Sequence, residues 1–299
     1  MTALTATKQA LLQRLEGLQQ IPTIPAVLAP LLRYMQQPME QLDVQKVTDL
    51  LSQDKSLAAQ CLQMANSPLF GRAQSVQSLR AAVVSLGFHH VSDIAMSCGV
   101  LNMFPTSVNS VDPVVFWEHS LGCALVCRHL ARKIKFGDAG KAYLAGLLHD
   151  IGIIVHLWVL PNEFRVAWEA GKAEGIPLHE AEQTYMGFTH CDSGRLLAER
   201  WGLAPELIEV VSYHHSPEKA TDHAGLVALV QLADLLCRMR GLNYGYVEER
   251  QVNLIEESGF GLLAQYSTTL KEFDWARLTF ELDSYMDEVH SLVRAIYRT

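Results

Sequence analysis

Apolar residues recur at three- and four-residue spacing through almost every segment of this chain. "VQKVTDLLSQDKSLAAQCLQMAN", "SLRAAVVSLGF", "EHSLGCALVCRHLARKI", "SGRLLAERWGL" and "PELIEVVSYHH" each carry such a stripe. So do "KQALLQRLEGL" and "AVLAPLLRYMQQ" near the start. Between the stripes lie breakers such as "IPTIP", "NSPLFG", "KFGDAG", "LPNEF" and "HHSPEK". No stretch alternates over two neighbouring segments, as a hairpin would require. The expectation is an all-α protein, a multi-helix bundle of about a dozen helices. With 299 residues, about half of them hydrophobic, the chain can bury a sizeable core.

The most polar interruption is "MFPTSVNSVDP", 103–113. It suggests a tail over 1–13, an N-terminal helical subdomain over 14–108, a histidine-rich helical core over 109–240 and a C-terminal helical extension over 241–299. The N-terminus lacks the charged, apolar and small-residue succession of a signal peptide. The six cysteines contain no CxxC pair, which fits a reducing, cytoplasmic setting. Cys123 and Cys127, four apart, read as buried helical thiols rather than a metal pair. A net charge of −8 argues against bulk nucleic-acid binding and against an anionic membrane surface.

One stretch is long and apolar enough to prompt a membrane reading: "AYLAGLLHDIGIIVHLWVL", 142–160. His149 and Asp150 would then lie near the bilayer centre, where an acid alone costs about 2.5–3.5 kcal/mol. A helix buried in protein is the better reading. Ala142, Ala145, Gly146, His149, Gly152 and His156 share its face, so small residues clear space around the imidazole. A buried carboxylate needs a partner.

The same pattern of a polar residue on an apolar stripe recurs. His119 lies on the stripe Phe116, Cys123, Cys127, Leu130, Ile134. Thr189 or His190 opens a helix, with Asp192 in the first turn. His214 and His215 close the helix that begins at Pro205, and Asp234 shares a face with Val227 and Val230. Any one of these is most simply a satisfied core residue. Five helices each turning His or Asp inward are better explained by divalent metal, for which neutral imidazole and carboxylate are usual ligands. Seven such residues suit two ions, a pair that polarises a phosphoryl oxygen and activates water.

The order His, His-Asp-Ile-Gly, His, His-His, Asp resembles the HD superfamily of metal-dependent phosphohydrolases. Within it the chain is most similar to the HDOD family (HD-related output domain). "IPTIPAVLAPLLRYMQQP", the block ending "ANSPLFGRAQSVQSLRAAVVSLGFHHV", "AYLAGLLHDIGIIV", "FTHCDSGRLLAERWGLAPELIEVVSYHH" and "QLADLL" follow in family order, over about residues 14–240. The resemblance implies that His119, His149, Asp150 and Asp234 correspond to the basic HD metal set. His190, His214 and His215 correspond to the added ligands of the two-metal HD-GYP relatives, which hydrolyse cyclic di-GMP. Those relatives have Lys after HDIG, where this chain has Ile153. The GYP segment is missing, and Val115 stands where a trinuclear site would place an acid.

Two functions follow from the resemblance. One is a stand-alone signalling or regulatory module that binds protein partners or a small nucleotide-like ligand, with its input arriving in trans. The other is a phosphohydrolase acting on a nucleotide or cyclic dinucleotide, with Asp150 in a catalytic role. The departures favour the first. One or two divalent ions (Fe, Mn, Mg, Ni or Zn) are expected in either case, unless the site is vestigial. Other histidines carry blander readings: His89 and His90 a helix-start turn, His156 a core hydrogen bond, and His129, His179, His223 and His290 partial exposure. Trp117, Trp158, Trp168 and Trp201 read as core.

Overall fold

The structure is a computed structural model and describes residues 13, 30, 43–70, 75–103, 112–267, 269–270 and 273–297. The expected helices "KQALLQRLEGL" and "AVLAPLLRYMQQ", and most of the interruption at 103–113, lie outside the described residues. Among the described residues every regular element is helical, in agreement with the periodicity. The chain divides into two compact units, Ile24–Phe104 with Ser284–Thr299, and Met1–Thr23 with Pro105–Asp283.

In the first of these, α1 (Val44–Ser52), α2 (Lys55–Ala65), α3 (Leu79–Leu86) and α4 (Phe88–Leu101) pack on one another. Each of the first three starts where a side-chain oxygen meets the free N–H groups of its opening turn. Asp43 accepts from Gln45 N, Asp54 from Ser56 N and Leu57 N, and Ser78 from Ala81 N. The "ANSPLFG" segment is pinned by Asn66, whose side chain takes the N–H of Val76 at 2.7 Å and donates to its carbonyl at 2.9 Å. Two-sided pairing of one backbone residue by one amide explains why an Asn suits this turn. α4 is buried from Val91 to Leu101.

The larger unit is built around α5 (Pro113–Lys133), buried over Phe116–Arg128. It packs along α6 (Ala139–Leu148). α7 (Ile151–Val159), α8 (Pro161–Glu174), α9 (Leu178–Tyr185), α10 (His190–Arg200) and α11 (Pro205–Tyr213) follow, then α12 (Ala224–Met239), buried over Val227–Cys237, and α13 (Ser258–Tyr266). The final helix α14 (Trp275–Tyr297) begins in this unit.

One expectation needs correction. The stretch 142–160 is not one continuous helix. α6 ends at Leu148, His149 and Asp150 form a turn, and α7 begins at Ile151. Asp150 has φ −102° and ψ 16°, outside the helical well. The residues from Ala139 to Val159 are apolar enough to cross a membrane, yet 89% of their most apolar window is buried inside the protein. The turn matters for close packing. A Cβ on Gly152 would stand 1.8 Å from the carbonyl oxygen of His190. One on Gly146 would stand 2.7 Å from that of Cys123. These small residues therefore let α7 and α6 approach their neighbours at backbone distance. A second correction concerns Trp158, which is 52% exposed and not core, because it falls on the outer face of α7.

Candidate metal centre

Five places in the larger unit deliver the seven residues singled out above, and the fold brings all seven together. His119 comes from the middle of α5, His149 and Asp150 from the turn between α6 and α7, and His190 from the first residue of α10. His214 caps α11, His215 follows it, and Asp234 lies in the middle of α12. Six of them are at most 1% exposed; the His215 side chain retains 10%. The local sequence explains each placement. Thr189 and Asp192 form a reciprocal cap that starts α10 at His190. Pro205 starts α11, and the histidine pair follows its last residue, Tyr213.

The hydrogen bonds fix how the rings point. His119 Nδ1 lies 2.7 Å from the carbonyl of Leu242, and His149 Nδ1 2.7 Å from that of Gly146. His190 Nδ1 lies 2.6 Å from a carboxylate oxygen of Glu182, and His214 Nδ1 3.1 Å from the carbonyl of Val210. Every one of these partners accepts, so each Nδ1 carries a proton and donates. That assigns the Nε2 lone pairs to the inside, where they converge on two carboxylates.

Asp150 divides its oxygens between two groups. Its Oδ2 is 3.0 Å from His149 Nε2 and 3.5 Å from His119 Nε2. Its Oδ1 is 3.2 Å from His190 Nε2 and 3.3 Å from His214 Nε2. Asp234 Oδ1 completes the first group, 3.3 Å from His119 Nε2. His215 completes the second, its Nε2 3.1 Å from that of His190. Nε2 atoms facing carboxylate oxygens at such distances require a cation between them, a proton or a metal ion. Consistently, His149 Nε2, Asp150 Oδ1 and Asp234 Oδ1 make no hydrogen bond of acceptable geometry among the described residues, while Asp234 Oδ2 lies 2.9 Å from Arg238. Bare buried acceptors of this kind are costly. The donor set therefore fits one divalent ion held by His119, His149, Asp150 and Asp234. A second would be held by His190, His214 and His215, which Asp150 Oδ1 faces.

Protons on the imidazoles are the other source of that positive charge. Burial pushes the Asp150 carboxyl up, but His149, His190 and His214 outweigh it and hold it well below the usual range. Burial likewise opposes charge on His119 and His190, yet Asp234 beside the first and Glu182 beside the second raise both. His214 rises to about 10, because Cys191 and Asp150 overcome its burial. His149 and His215 go down, mainly through burial. The carboxylates thus draw positive charge into this pocket.

A surrounding layer was not among the expected site residues. Glu182 is fully buried and accepts from the backbone N of His190 at 2.8 Å, from His190 Nδ1, and from His156 Nδ1 at 3.0 Å. His156, read as a core hydrogen bond, is that, and it thereby orients the carboxylate holding His190. Tyr244 donates its hydroxyl to Asp150 Oδ2. Arg238 pairs with Asp234 at 2.9 Å and with Glu248 at 2.8 Å. His179, expected to be partly exposed and of intermediate exposure, stacks on His215 with centroids 3.9 Å apart. A signal for Glu182 existed: Leu178, Ala181, Glu182 and Tyr185 form a helical stripe with the acid on it. Arg238 stands four after Asp234, also a readable spacing. Tyr244, in the aperiodic "GLNYGYVEE", offered none.

A cavity of about 570 Å³ opens beside the second group, lined in part by His179, Cys191 and His215 and in part by Glu180, Asp192 and Lys219. Ile153 lies buried one turn from Asp150 and offers no charge.

Known proteins supply a family for this geometry. The HDOD domain model matches residues 21–217. An HDOD domain protein of unknown function from Geobacter sulfurreducens has the same fold, with a TM-score of 0.83 and 28% identity over 98% of this chain and 99% of that one. A Shewanella amazonensis protein provisionally named a phosphohydrolase superposes with a TM-score of 0.73 over 96% of this chain and 98% of its own, at 24% identity. An uncharacterized protein of Treponema pallidum is 24% identical over 227 residues, 75% of this chain and 43% of the relative. The chain spans less than half the length of the curated relatives it matches. The family match over most of its length, on an all-helical frame shared end to end with an HDOD protein, means that the chain belongs to the HDOD family.

Proposed function

We propose that this chain is a metal-binding regulatory module, acting through a protein partner or a small ligand rather than through turnover. The observation that carries this reading is the charge around the donor cluster. Six of the seven donor residues are sealed from solvent, and the guanidinium beside them, Arg238, is committed to Asp234 and Glu248. The neighbouring cavity sets Lys219 against Glu180 and Asp192, a poor lining for a phosphate. Ile153 adds apolar surface where a hydrolase of this type would place a cation.

Divalent ions in such a site supply Lewis-acid polarisation and a strong structural tie between helices. The residues do the rest. Leu242, Gly146, Val210 and Glu182 hold the imidazoles with Nε2 inward, and Tyr244 holds Asp150 so that each carboxylate oxygen faces one histidine group. The donor residues that would hold an ion come from α5, the α6–α7 turn, α10, the end of α11 and α12.

A phosphohydrolase is the second reading, supported by the full His/Asp set and by the provisional name of the Shewanella amazonensis neighbour. Metal analysis of the purified protein, followed by assays with Fe²⁺, Mn²⁺ and Mg²⁺ on cyclic di-GMP and a generic phosphodiester, separates the two. The regulatory reading expects bound metal and no turnover. Turnover that disappears in Asp150→Ala overturns it.

A further inference from the structure

Cys191 follows His190 in the first turn of α10 and lies at the outer half of the donor cluster, where neither the helical pattern nor the HD motif gives it a role. Its sulfur is 3.9 Å from each ring nitrogen of His214. Around it, His190 Nε2 lies 3.4 Å from His214 Nε2 and 3.1 Å from His215 Nε2. One donor atom from each of these four residues falls within 4.8 Å of every other.

Those separations can be compared with the edges of a coordination tetrahedron. Metal–nitrogen bonds of about 2.0–2.1 Å and a metal–sulfur bond of about 2.3 Å give nitrogen–nitrogen edges of about 3.3 Å and nitrogen–sulfur edges of about 3.6 Å. The two nitrogen edges of His190 lie on either side of the first value, the Cys191–His214 edge is a few tenths of an ångström longer than the second, and the other donor pairs lie within 4.8 Å. An independent observation points into the same space: Asp150 Oδ1 is buried, makes no hydrogen bond of acceptable geometry, and faces His190 and His214. The position also suits a thiolate, because the start of a helix offers unpaired N–H groups and positive potential.

We propose that Cys191 is a thiolate ligand of the second ion, forming with His190, His214 and His215 a three-nitrogen, one-sulfur centre. This rests on the metal-binding reading of the cluster and specifies which metals it takes. A thiolate among imidazoles selects zinc, cobalt or nickel over magnesium and manganese, which prefer oxygen. The two halves of the cluster then differ in kind: the inner half offers two imidazoles and two carboxylates, and the outer half is softer and borders the cavity.

The test uses the full-length protein, stripped with a chelator and titrated with Co²⁺. The expected result is a near-ultraviolet thiolate-to-cobalt charge-transfer band. Cys191→Ser should abolish that band, keep the visible cobalt bands, and weaken Zn²⁺ binding at least tenfold in competition with a chromophoric chelator. Cys123→Ser is the control, since Cys123 Sγ lies 3.6 Å from His119 Nε2 in the inner half; it should leave the band intact. Far-ultraviolet circular dichroism of both variants checks the fold. Cobalt bound without the band, a band that survives in Cys191→Ser, or one lost only in Cys123→Ser overturns the thiolate assignment while leaving metal binding standing. No bound cobalt at all overturns both.

Discussion

Glu182 ties the metal donors to the rest of the protein at the residue scale. One carboxylate takes three N–H donors, from the His190 backbone, the His190 ring and the His156 ring. Burial raises its pKa, yet the two imidazoles, His190 foremost, hold it at about 2. Glu182→Gln replaces one acceptor oxygen with an NH₂ that faces an imidazole N–H. Breaking a buried charged pair costs about 3–5 kcal/mol. Loss of a group that orients a ligand costs roughly 10–100-fold in metal affinity. Urea denaturation and chelator-competition titration of the variant check both; unchanged affinity would mean that His190 needs no orientation from Glu182. Tyr244→Phe should be milder, about 1.5–3 kcal/mol, because it removes one hydrogen bond to a charged acceptor. The contrast also shows what was readable. His119 and Asp234 stood out because a polar residue on an apolar helical stripe is anomalous, and Glu182 carries the same mark on a shorter helix. Tyr244 reaches Asp150 from a segment without periodicity, across 94 positions of sequence, so only the folded chain reveals it.

At the scale of elements, the turn at His149 and Asp150 is what a periodicity argument could not reach. The apolar pattern runs on through residues 142–160, so the pattern alone reads one helix. Just beyond the interruption, Gly152 of α7 meets the backbone of α10. Gly152→Ala tests this directly, since its Cβ would meet the His190 carbonyl at 1.8 Å and Gly194 N at 2.7 Å. Overpacking of this kind costs about 1–3 kcal/mol, and here the displaced backbone belongs to a donor residue. Thermal unfolding and metal content should both fall. Gly261→Ala, in α13, meets nothing within 4 Å and should stabilise by about 0.5–1 kcal/mol through helix propensity. Wild-type stability in Gly152→Ala would sink the close-approach argument. Surface ties between elements predict a different signature. Glu281 on α14 accepts from Lys133 of α5, Arg277 and His129, and Lys133 and Arg277 lead in lowering its pKa from 4.5 to about 2. A carboxylate with a depressed folded-state pKa stabilises above its unfolded pKa and loses that contribution as pH falls through the folded one. Melting temperatures of wild type and Glu281→Gln should therefore differ at pH 7, converge below about 4.5, and coincide near pH 2.

For the whole molecule, the all-helical class followed from periodicity because a three-to-four spacing repeated in segment after segment leaves no alternative packing. The meeting of five separate polar positions at one point was legible only through their number and order, since no local rule says that inward faces share a centre. The consequence is thermodynamic. If the native unit binds ions that the unfolded chain does not, folding and metal loading are linked. At a free-metal concentration one hundred times the dissociation constant, the gain is about 2.7 kcal/mol. For a unit of this size each kcal/mol moves the midpoint by roughly 2–4 °C, so saturating metal should raise melting by roughly 5–10 °C over the chelator-treated protein. The shift should grow with the logarithm of metal concentration and shrink in Asp150→Ala, because that carboxylate faces both histidine groups. Differential scanning calorimetry across a metal series measures it. A midpoint indifferent to metal, in protein shown to be folded, would mean that the inward-facing imidazoles and carboxylates are neutralised by protons, and that the cluster is a buried polar network and not a metal centre.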